Sequence, residues 1–441
     1  MRVASYIFSL MKNGRFRRRN WLFFLVLSFS FCLFPITASA AEEVVVVIDP
    51  GHGGENLGAE YAGYTEKEIN MIVANAMYDE LSKYDGVTVY LTQNGDAELS
   101  LAERAEFAAS VNADLMIALH FNMSEQHTLF GSEVWISAFG EDYQEGYAFG
   151  EAVLAQFDTI GTYHKGVKVR LNDNGEDYYG VIRESHARGV TTALVEHCYL
   201  DHENDTDFYN TTEKLERFGR LDATATAQYF GLSSQTLGVD YSDYEKVQVE
   251  LPTSVVKPDD TPPDISYIEL VEADKENRTL TIRLSAEDYD SGMIYYSYSL
   301  DGGETFSTLR KWPEADTFQF TVEVPNGITP HIVVNAYNKY DILAESNDII
   351  VEGFPLVSQA EPETETAQPE TSLEVIAEAQ NNVANTLEDV SESSTKENKE
   401  PDRSFMTFLT ISGICIGSLF VLLMIGYSYL HSRKKKRRRK F

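Results

Sequence analysis

The stretch that decides the fold is VVVVIDPGHGG, residues 44–54. An unbroken run of β-branched residues is typical of a strand that is buried on both faces. Asp49 and Pro50 end this run, and His52 follows among glycines. A hydrophobic core needs the valines, but it does not need a histidine in a glycine loop. The stretch therefore predicts a buried strand followed by a functional loop.

Residues 43–232 continue with alternating strand and helix patterns. Apolar residues recur at helical spacing in EKEINMIVANAMYDEL, and the same reading applies to LSLAERAEFAASV and YQEGYAFGEAVLAQF. Strand patterns are present in VTVYLT, DLMIALHFN, SEVWIS and TTALVEHCYL. Alternation of this kind predicts an α/β domain with a mostly parallel sheet flanked by helices.

The pattern changes after this domain. Residues 233–262 are polar and end in VKPDDTPPD, which is typical of a linker. Residues 263–355 contain short segments of period two between Gly and Asn turns, which predict a small all-β sandwich. This region weakly resembles bacterial immunoglobulin-like modules. It carries no visible chemistry, and we interpret it as a spacer. The alternative is that the aromatic stripe YYSYS is core on one face and a saccharide or partner surface on the other.

Both ends of the chain carry targeting patterns. Residues 1–40 combine six basic residues, an apolar run and a small-residue site at TASAA, which predicts a signal peptide. Residues 405–430 hold 26 residues without a charge, which is enough for a transmembrane helix. The basic tail, 431–441, marks the cytoplasmic side. Residues 356–403 are acidic and poor in aromatic residues, which predicts a disordered spacer.

Charge and cysteine usage narrow the class of protein. The formal net charge is −33 although both ends are basic, so the exported part is strongly acidic and is not expected to bind nucleic acid. Of three cysteines, only Cys198 lies in the exported part, so no internal disulfide can form there. This usage favours a bacterial exported protein. We expect a single-pass membrane protein with its N-terminal part outside the cell.

Polar residues lie where several predicted strands end. His52 follows the first strand, His120 closes DLMIALH and Glu196 closes TTALVE. The carboxyl ends of parallel strands share one edge of a sheet, so we expect these side chains to converge. TEKE, residues 65–68, predicts a capping box that occupies Glu68 and leaves Glu66 free at a helix start near the same edge.

Two imidazoles and two carboxylates suit a catalytic zinc site. Zinc accepts two histidines and one glutamate while it keeps a position for water, and it lowers the pKa of that water towards about 7. The second carboxylate then serves as general base and later as acid to the leaving amine. Glycines around His52 are expected to adopt positive φ angles and let the imidazole turn inward.

The same residues carry a resemblance to a known family. DPGHGG, EKEIN, ALHFN and LVEHCYL are similar to the motifs of zinc-dependent N-acetylmuramoyl-L-alanine amidases, which cut bacterial peptidoglycan. The resemblance covers residues 43–232. It implies that His52, Glu66 and His120 bind one zinc ion. By the same resemblance, Glu196 is the catalytic residue.

Some residues depart from the family pattern or have open roles. The family usually has Arg where this chain has Gln93, and small or apolar residues where it has His197 and Cys198. We interpret His197 as structural or as a substrate contact, and Cys198 as a buried thiol rather than a zinc ligand. Arg183 is a candidate for binding a substrate carboxylate, and a surface ion pair is the alternative.

Three classes of function follow from these patterns. The first is a membrane-anchored amidase that hydrolyses the bond between N-acetylmuramic acid and L-alanine. The second is a zinc peptidase acting on the stem peptide, and the third is a non-catalytic scaffold that binds the cell wall. The short reach of the spacer suits a wall close to the membrane, as in Gram-positive bacteria. We expect residues 233–441 to serve tethering rather than catalysis.

Overall fold

The structure is a computed structural model that describes residues 43–313 and 315–354. All of them belong to one compact unit. Within these ranges, none of the helices has the length and apolar character needed to cross a membrane. The predicted signal peptide, disordered spacer, transmembrane helix and basic tail lie outside the described residues.

A six-stranded sheet forms the centre of the N-terminal domain, in the order β4-β1-β5-β8-β6-β7. Neighbouring strands are parallel except β6 and β8, which are antiparallel, so the predicted mostly parallel sheet is confirmed. A two-stranded hairpin, β2-β3, precedes the first helix. The strands are β1 (Val44–Pro50), β2 (Glu60–Tyr61), β3 (Tyr64–Thr65), β4 (Val87–Leu91), β5 (Leu115–Asn122), β6 (Ser132–Ile136), β7 (His164–Val169) and β8 (Thr192–Tyr199).

Helices cover both faces of this sheet. They are α1 (Glu66–Leu81), α2 (Leu101–Ser110), α3 (Gly140–Asp158), α4 (Gly180–His186), α5 (Glu203–Tyr209) and α6 (Thr212–Phe230). Val46 and Ile48 join the core beneath α1, α3 and α6, whereas Val47 joins the core beneath α2 and α4. The first strand is an unbroken apolar run because both of its faces are covered.

The start of α1 differs from the prediction in one respect. The helix begins at Glu66 with Thr65 as its N-cap, but the Thr65 side chain makes no capping hydrogen bond. Its hydroxyl is buried without a partner in the described part of the chain. The predicted capping box is therefore wrong, because Thr65 ends β3 and its backbone is held by that hairpin. A complete capping box is present at Ser100 and Glu103, at the start of α2.

The C-terminal part forms two antiparallel sheets around one apolar core. One sheet has the order β11-β12-β15, and the other has the order β14-β13-β16-β17 with β18 paired to β16. Both sheets contribute to the same buried cluster, which is the arrangement of a β-sandwich. The strands are β11 (Ile265–Asp274), β12 (Thr279–Glu287), β13 (Met293–Ser299), β14 (Arg310–Lys311), β15 (Thr317–Glu323), β16 (His331–Asn338), β17 (Leu343–Glu345) and β18 (Ile349–Ile350).

The segment between the two domains lies along the first domain. It contains a short hairpin of β9 (Ser233–Ser234) and β10 (Val239–Asp240). Further on, the Val256 amide donates to the Ala138 carbonyl at 2.9 Å, and its side chain packs against the core of the first domain. This segment is therefore fixed to the first domain along part of its length.

The sandwich also packs directly on the first domain. The Tyr295 hydroxyl donates to the Phe130 carbonyl, and both rings lie in a buried cluster shared by the two domains. Asp341 of the sandwich forms an ion pair with buried Lys165 at 3.1 Å. The interpretation of the sandwich as a plain spacer is therefore incomplete, because the sandwich makes buried and polar contacts with the first domain.

Candidate active site and metal-binding residues

The loop after β1 presents His52 at the carboxyl edge of the sheet. His52 itself has a left-handed backbone with φ of 65°, which is uncommon for a residue other than glycine. Gly53 and Gly54 also have positive φ, as expected for the glycines, but Gly51 does not. The imidazole Nδ1 donates to Asn56 Oδ1 at 3.0 Å, which leaves Nε2 directed to Glu66 Oε2 at 3.0 Å.

Two long side chains hold this loop by its carbonyl groups. The buried Arg104 guanidinium donates to the carbonyls of Pro50 and His52 at 2.8 and 2.6 Å. It also pairs with the Asp49 carboxylate at 2.7 Å. Gln93 donates to the His52 carbonyl at 2.8 Å, so the residue that departs from the family pattern has a structural role here. The loop therefore has a fixed backbone.

Gly51 is required for space rather than for a positive φ. A Cβ atom at this position would lie 2.3 Å from Cε1 of the His120 ring. Ordinary van der Waals contacts are 3.4 Å or longer. The imidazole of His120 therefore occupies the volume that any larger residue at position 51 would need.

Glu66 lies between the two histidines. Its Oε1 is 2.8 Å from His120 Nδ1 and accepts the Phe121 amide at 3.2 Å, while its Oε2 accepts the Ala59 amide at 2.8 Å. Burial would raise the pKa of Glu66, but the hydrogen bonds and charges of His120 and His52 outweigh burial and lower it. Burial lowers the pKa of His52, but Glu66 outweighs this effect and raises it above 6.5. The carboxylate form of Glu66 is therefore strongly favoured.

These three residues can hold a metal ion. One ligand atom each from His52, Glu66 and His120 lies within 4.8 Å of the others. Two imidazole nitrogens and one carboxylate oxygen are donors that suit a divalent cation such as zinc. Backbone amides and Asn56 hold the ligand side chains in place, as outer-shell groups do in metal sites. The residues present therefore fit the metal that the sequence motifs predict.

Glu196 lies beside this cluster. It pairs in register with His120 across β5 and β8, as their shared sheet edge predicts. Its carboxylate is buried, and Oε2 has no hydrogen-bond partner within the described ranges. Burial raises the pKa of Glu196 far above its usual value, and the charges of Glu66 and Glu133 add to this effect. The site thus contains a buried carboxyl group with one oxygen that no other described group engages.

A second buried charged group borders Glu196. Glu133 lies opposite Glu196 in the antiparallel pair β6-β8. Its Oε2 is 2.7 Å from Lys168 Nζ and 3.5 Å from Lys165 Nζ. Burial would raise the pKa of Glu133, but the charges of the two lysines outweigh burial and lower it to about 2. Burial and the charge of Lys165 lower the pKa of Lys168 below 10.5, despite the Glu133 carboxylate.

The two residues that follow Glu196, His197 and Cys198, are both buried. The His197 ring lies on the opposite face, where Nδ1 contacts the His120 carbonyl at 2.8 Å and Nε2 contacts Asp222 at 2.9 Å. This position confirms a structural role, because His197 is fully buried and fixes the strand that carries His120. Cys198 is a buried free thiol, and it is not a member of the metal cluster.

Arg183 lies away from these contacts. Its guanidinium donates to the carbonyls of Asp177 and Tyr178, at 2.7 and 3.0 Å, and so supports the turn before α4. No contact of Arg183 in the described part of the chain joins it to His52, Glu66 or His120. Its role in substrate binding stays a prediction.

The sequence reasoning missed several residues of this site. Arg104 and Asp49 fix the histidine loop, and Glu133 forms a buried ion pair with Lys168 beside Glu196. One signal was present in SEVWIS, where a single acid stands within an apolar strand. A charge that is buried in a strand needs a partner, so Glu133 indicated a cation nearby.

The fold and the site together define the class of this domain. It is an α/β domain with a two-histidine, one-carboxylate site for a metal ion and an adjacent buried glutamate, which is the arrangement of a metal-dependent hydrolase.

Comparisons with known proteins identify the family. Residues 46–228 match the sequence model of the N-acetylmuramoyl-L-alanine amidase family. The chain is 32% identical over 192 residues to the N-acetylmuramoyl-L-alanine amidase LytC of Bacillus subtilis, covering 43% of this chain and 35% of LytC. It is 30% identical over 183 residues to the uncharacterized protein YqiI of the same species, covering 41% of this chain and 83% of YqiI. The chain belongs to the N-acetylmuramoyl-L-alanine amidase family.

One solved structure in this comparison is the N-acetylmuramoyl-L-alanine amidase AmiC2 of Nostoc punctiforme. It is 26% identical to this chain, with a TM-score of 0.37, over 43% of this chain and 97% of AmiC2. The family match falls on the N-terminal domain. The chain spans about a third of LytC.

Proposed function

We propose that this protein hydrolyses the amide bond between N-acetylmuramic acid and L-alanine in peptidoglycan, with one bound zinc ion. The observation that carries the proposal is the convergence of His52, Glu66 and His120 beside the buried carboxyl group of Glu196. Family membership supports the same reaction and substrate.

The metal ligands in this proposal are His52, Glu66 and His120. When bound there, zinc supplies a Lewis acid that activates water and polarises a carbonyl group. Arg104 and Gln93 fix the backbone that carries His52, and His197 fixes the strand that carries His120. These contacts hold the ligands in position before substrate arrives.

Glu196 has the role of general base and acid. In the ionised form of Glu196, Oε2, which lacks a hydrogen-bond partner within the described ranges, accepts a proton from the attacking water. The same oxygen then delivers this proton to the nitrogen of the leaving L-alanine, which departs as an amine. Burial excludes competing water from the carboxyl group, so the proton remains available for this transfer.

Mass spectrometry of muropeptides tests the reaction. The full-length chain is incubated with purified peptidoglycan, and the products are separated and weighed. An amidase gives lactyl-muramic ends together with intact stem peptides. Shortened stem peptides would instead identify a peptidase, and unchanged peptidoglycan would identify a non-catalytic wall-binding protein.

Metal analysis tests the zinc site independently of activity. We expect about one zinc per chain in the wild type and its loss in His52→Ala. The matched control is His164→Ala, because His164 pairs only with Asp158 in the described contacts. Unchanged zinc content in His52→Ala would refute the ligand assignment.

We further propose that the protein is anchored in the cytoplasmic membrane. The signal peptide (1–40), the apolar segment 405–430 and the basic tail (431–441) support export followed by retention of the C-terminal helix. A 48-residue spacer, 356–403, reaches at most about 160 Å when fully extended. This reach suits a wall directly outside the membrane, as in a Gram-positive bacterium.

Deletion of residues 404–441 tests the anchor. The truncated protein should appear in the culture medium, whereas the full-length protein should sediment with membranes. Residues 356–403 remain in the truncated protein, so the deletion removes only the proposed anchor and the basic tail. Retention of the truncated protein in the membrane fraction would contradict the proposed anchor.

A further inference from the structure

A cavity of about 740 Å³ lies between the catalytic domain, the linker and the sandwich. Residues from all three regions line this cavity, so no single domain forms it. The catalytic domain contributes Glu133, Trp135, Arg170 and Tyr179, the linker contributes residues 257–260, and the sandwich contributes residues 340–342.

This cavity begins beside the candidate active site. Asn122, which lines it, follows His120 by two residues on β5 and donates to Glu133 at 2.8 Å. Glu133 also lines it and lies opposite Glu196 in the paired strands β6 and β8. The cavity therefore borders the strands that carry His120 and Glu196, although His52, Glu66, His120 and Glu196 do not line it.

The sandwich wall of the cavity is held by buried polar contacts. Lys165 is fully buried and donates to the Tyr199 hydroxyl at 2.7 Å and to Asp341 at 3.1 Å. The hydroxyl of Tyr340 accepts the Val169 amide at 3.3 Å. Breaking contacts of this kind leaves a buried cation without its partner, which is costly. The wall is therefore a fixed part of the cavity.

The charges at the cavity indicate what it can bind. Two acids of the lining are paired with buried lysines, Glu133 with Lys168 and Asp341 with Lys165. Asp259 accepts from the neutral amide of Asn338 and keeps its charge. Arg170 and Lys257 are exposed, and they stand on opposite sides of the domain boundary. Asp260 is the remaining exposed acid of the lining.

Arg170 and Lys257 can each bind an anionic group of a ligand, even though the lining also contains acids and the protein as a whole is acidic. The sugar backbone of peptidoglycan offers hydroxyl and acetamido groups, whereas the stem peptide offers free carboxylates. Arginine and lysine bind carboxylates through charge-assisted hydrogen bonds. The cavity therefore fits the peptide part of the substrate better than the glycan part.

We propose that linker residues 257–260 and sandwich residues 340–342 form one wall of the substrate groove, in which Lys257 and Arg170 bind free carboxylates of the stem peptide. This inference rests on the proposed amidase function and adds a specificity-determining surface outside the catalytic domain. It gives the sandwich a role in substrate binding in addition to its role as a spacer.

The test compares Lys257→Ala with the wild type on two soluble muropeptides, one with free stem carboxylates and one with these groups amidated. For the free acid, we expect KM to rise about 3- to 10-fold while kcat is unchanged, because an exposed charge contact is lost. For the amidated substrate, we expect no change. Lys275→Ala is the matched control, because Lys275 is an exposed lysine of the sandwich that does not line the cavity.

Equilibrium binding separates this inference from the proposed reaction. The probe is the free stem peptide, and the proteins are the full-length wild type and Lys257→Ala. Weaker binding by the variant supports the groove even if the wild type releases no stem peptide from muropeptides. Equal KM values on the free acid, or equal binding of the probe, would overturn the inference and leave the amidase assignment unaffected.

Discussion

Replacing Gly51 by alanine should remove metal binding without unfolding the protein. The new Cβ atom would lie 2.3 Å from Cε1 of His120, where ordinary contacts begin at 3.4 Å. Something must therefore move by about 1 Å. Gly51 has no positive φ, so alanine introduces no backbone strain at this position.

The backbone of the loop cannot move away at low cost. The Gly51 amide donates to the Leu119 carbonyl at 3.0 Å, and the flanking carbonyls accept from Arg104 at 2.8 and 2.6 Å. The Arg104 guanidinium is buried and paired with Asp49. Because these contacts oppose a backbone shift, we expect the imidazole of His120 to move instead.

A displacement of about 1 Å exceeds the tolerance of a metal–ligand bond, which is about 0.2 Å. We expect the affinity for zinc to fall roughly 100-fold or more, since even loss of an outer-shell partner costs about 10- to 100-fold. Competition with a chelator measures the affinity, and circular dichroism verifies the fold. Gly95→Ala is the control, because nothing lies within 4 Å of its added Cβ. Wild-type zinc affinity in a folded Gly51→Ala protein would refute the reasoning.

Three further predictions follow from the structure. Glu196→Gln should retain zinc but lose about 10²- to 10⁴-fold in kcat, because the amide cannot accept the proton. If the variant instead loses zinc, Glu196 is a metal ligand and its assignment as the base is wrong. Burial raises the pKa of Asp205 from 3.8 to about 6, so its contribution to stability is present below pH 4 and is lost as the pH rises through 6. As the pH rises from 4 to 7, the free energy of unfolding of Asp205→Asn should therefore increase by roughly 3 kcal/mol relative to that of the wild type, as measured by chemical denaturation. If the free energies of unfolding of the two proteins change with pH in parallel, this prediction is contradicted. Gly219→Ala should destabilise the fold by roughly 2–3 kcal/mol or more, because its Cβ would lie 2.2 Å from the Val73 carbonyl oxygen where α6 packs on α1. Unchanged thermal stability of this variant would contradict the close packing of the two helices.

The sequence predicted the sheet well because burial on both faces leaves a simple pattern. Strand β1 reads as an uninterrupted apolar run, and its residues divide between the two cores. Strand β7 was missed for the opposite reason. Its segment HKGVKV contains Lys165 and Lys168, and lysine normally indicates exposure. Both side chains are buried here because Glu133 and Asp341 neutralise them, and those partners are distant in sequence.

The candidate metal ligands were predictable because each lies at a position that the fold defines. His120 and Glu196 occupy neighbouring strands in register, and Glu66 begins the helix that follows the histidine loop. The supporting residues were not predictable in this way. Arg104 lies 55 residues from Asp49 in the sequence, and no local periodicity relates the two. Such pairs become visible only when the chain is folded.

The buried lysines also connect the chemistry to the sandwich. Lys165 and Lys168 share the single carboxylate of Glu133, so one positive charge would be left over in the interior of the catalytic domain. Asp341 of the sandwich supplies the second carboxylate, and it contacts Lys165 directly. Buried cations without a counter-charge are strongly unfavourable, so the catalytic domain depends on the sandwich for charge balance. Glu133 stands opposite Glu196, and the position of the sandwich is therefore linked through Lys165 and Glu133 to the carboxyl group that the proposed reaction requires.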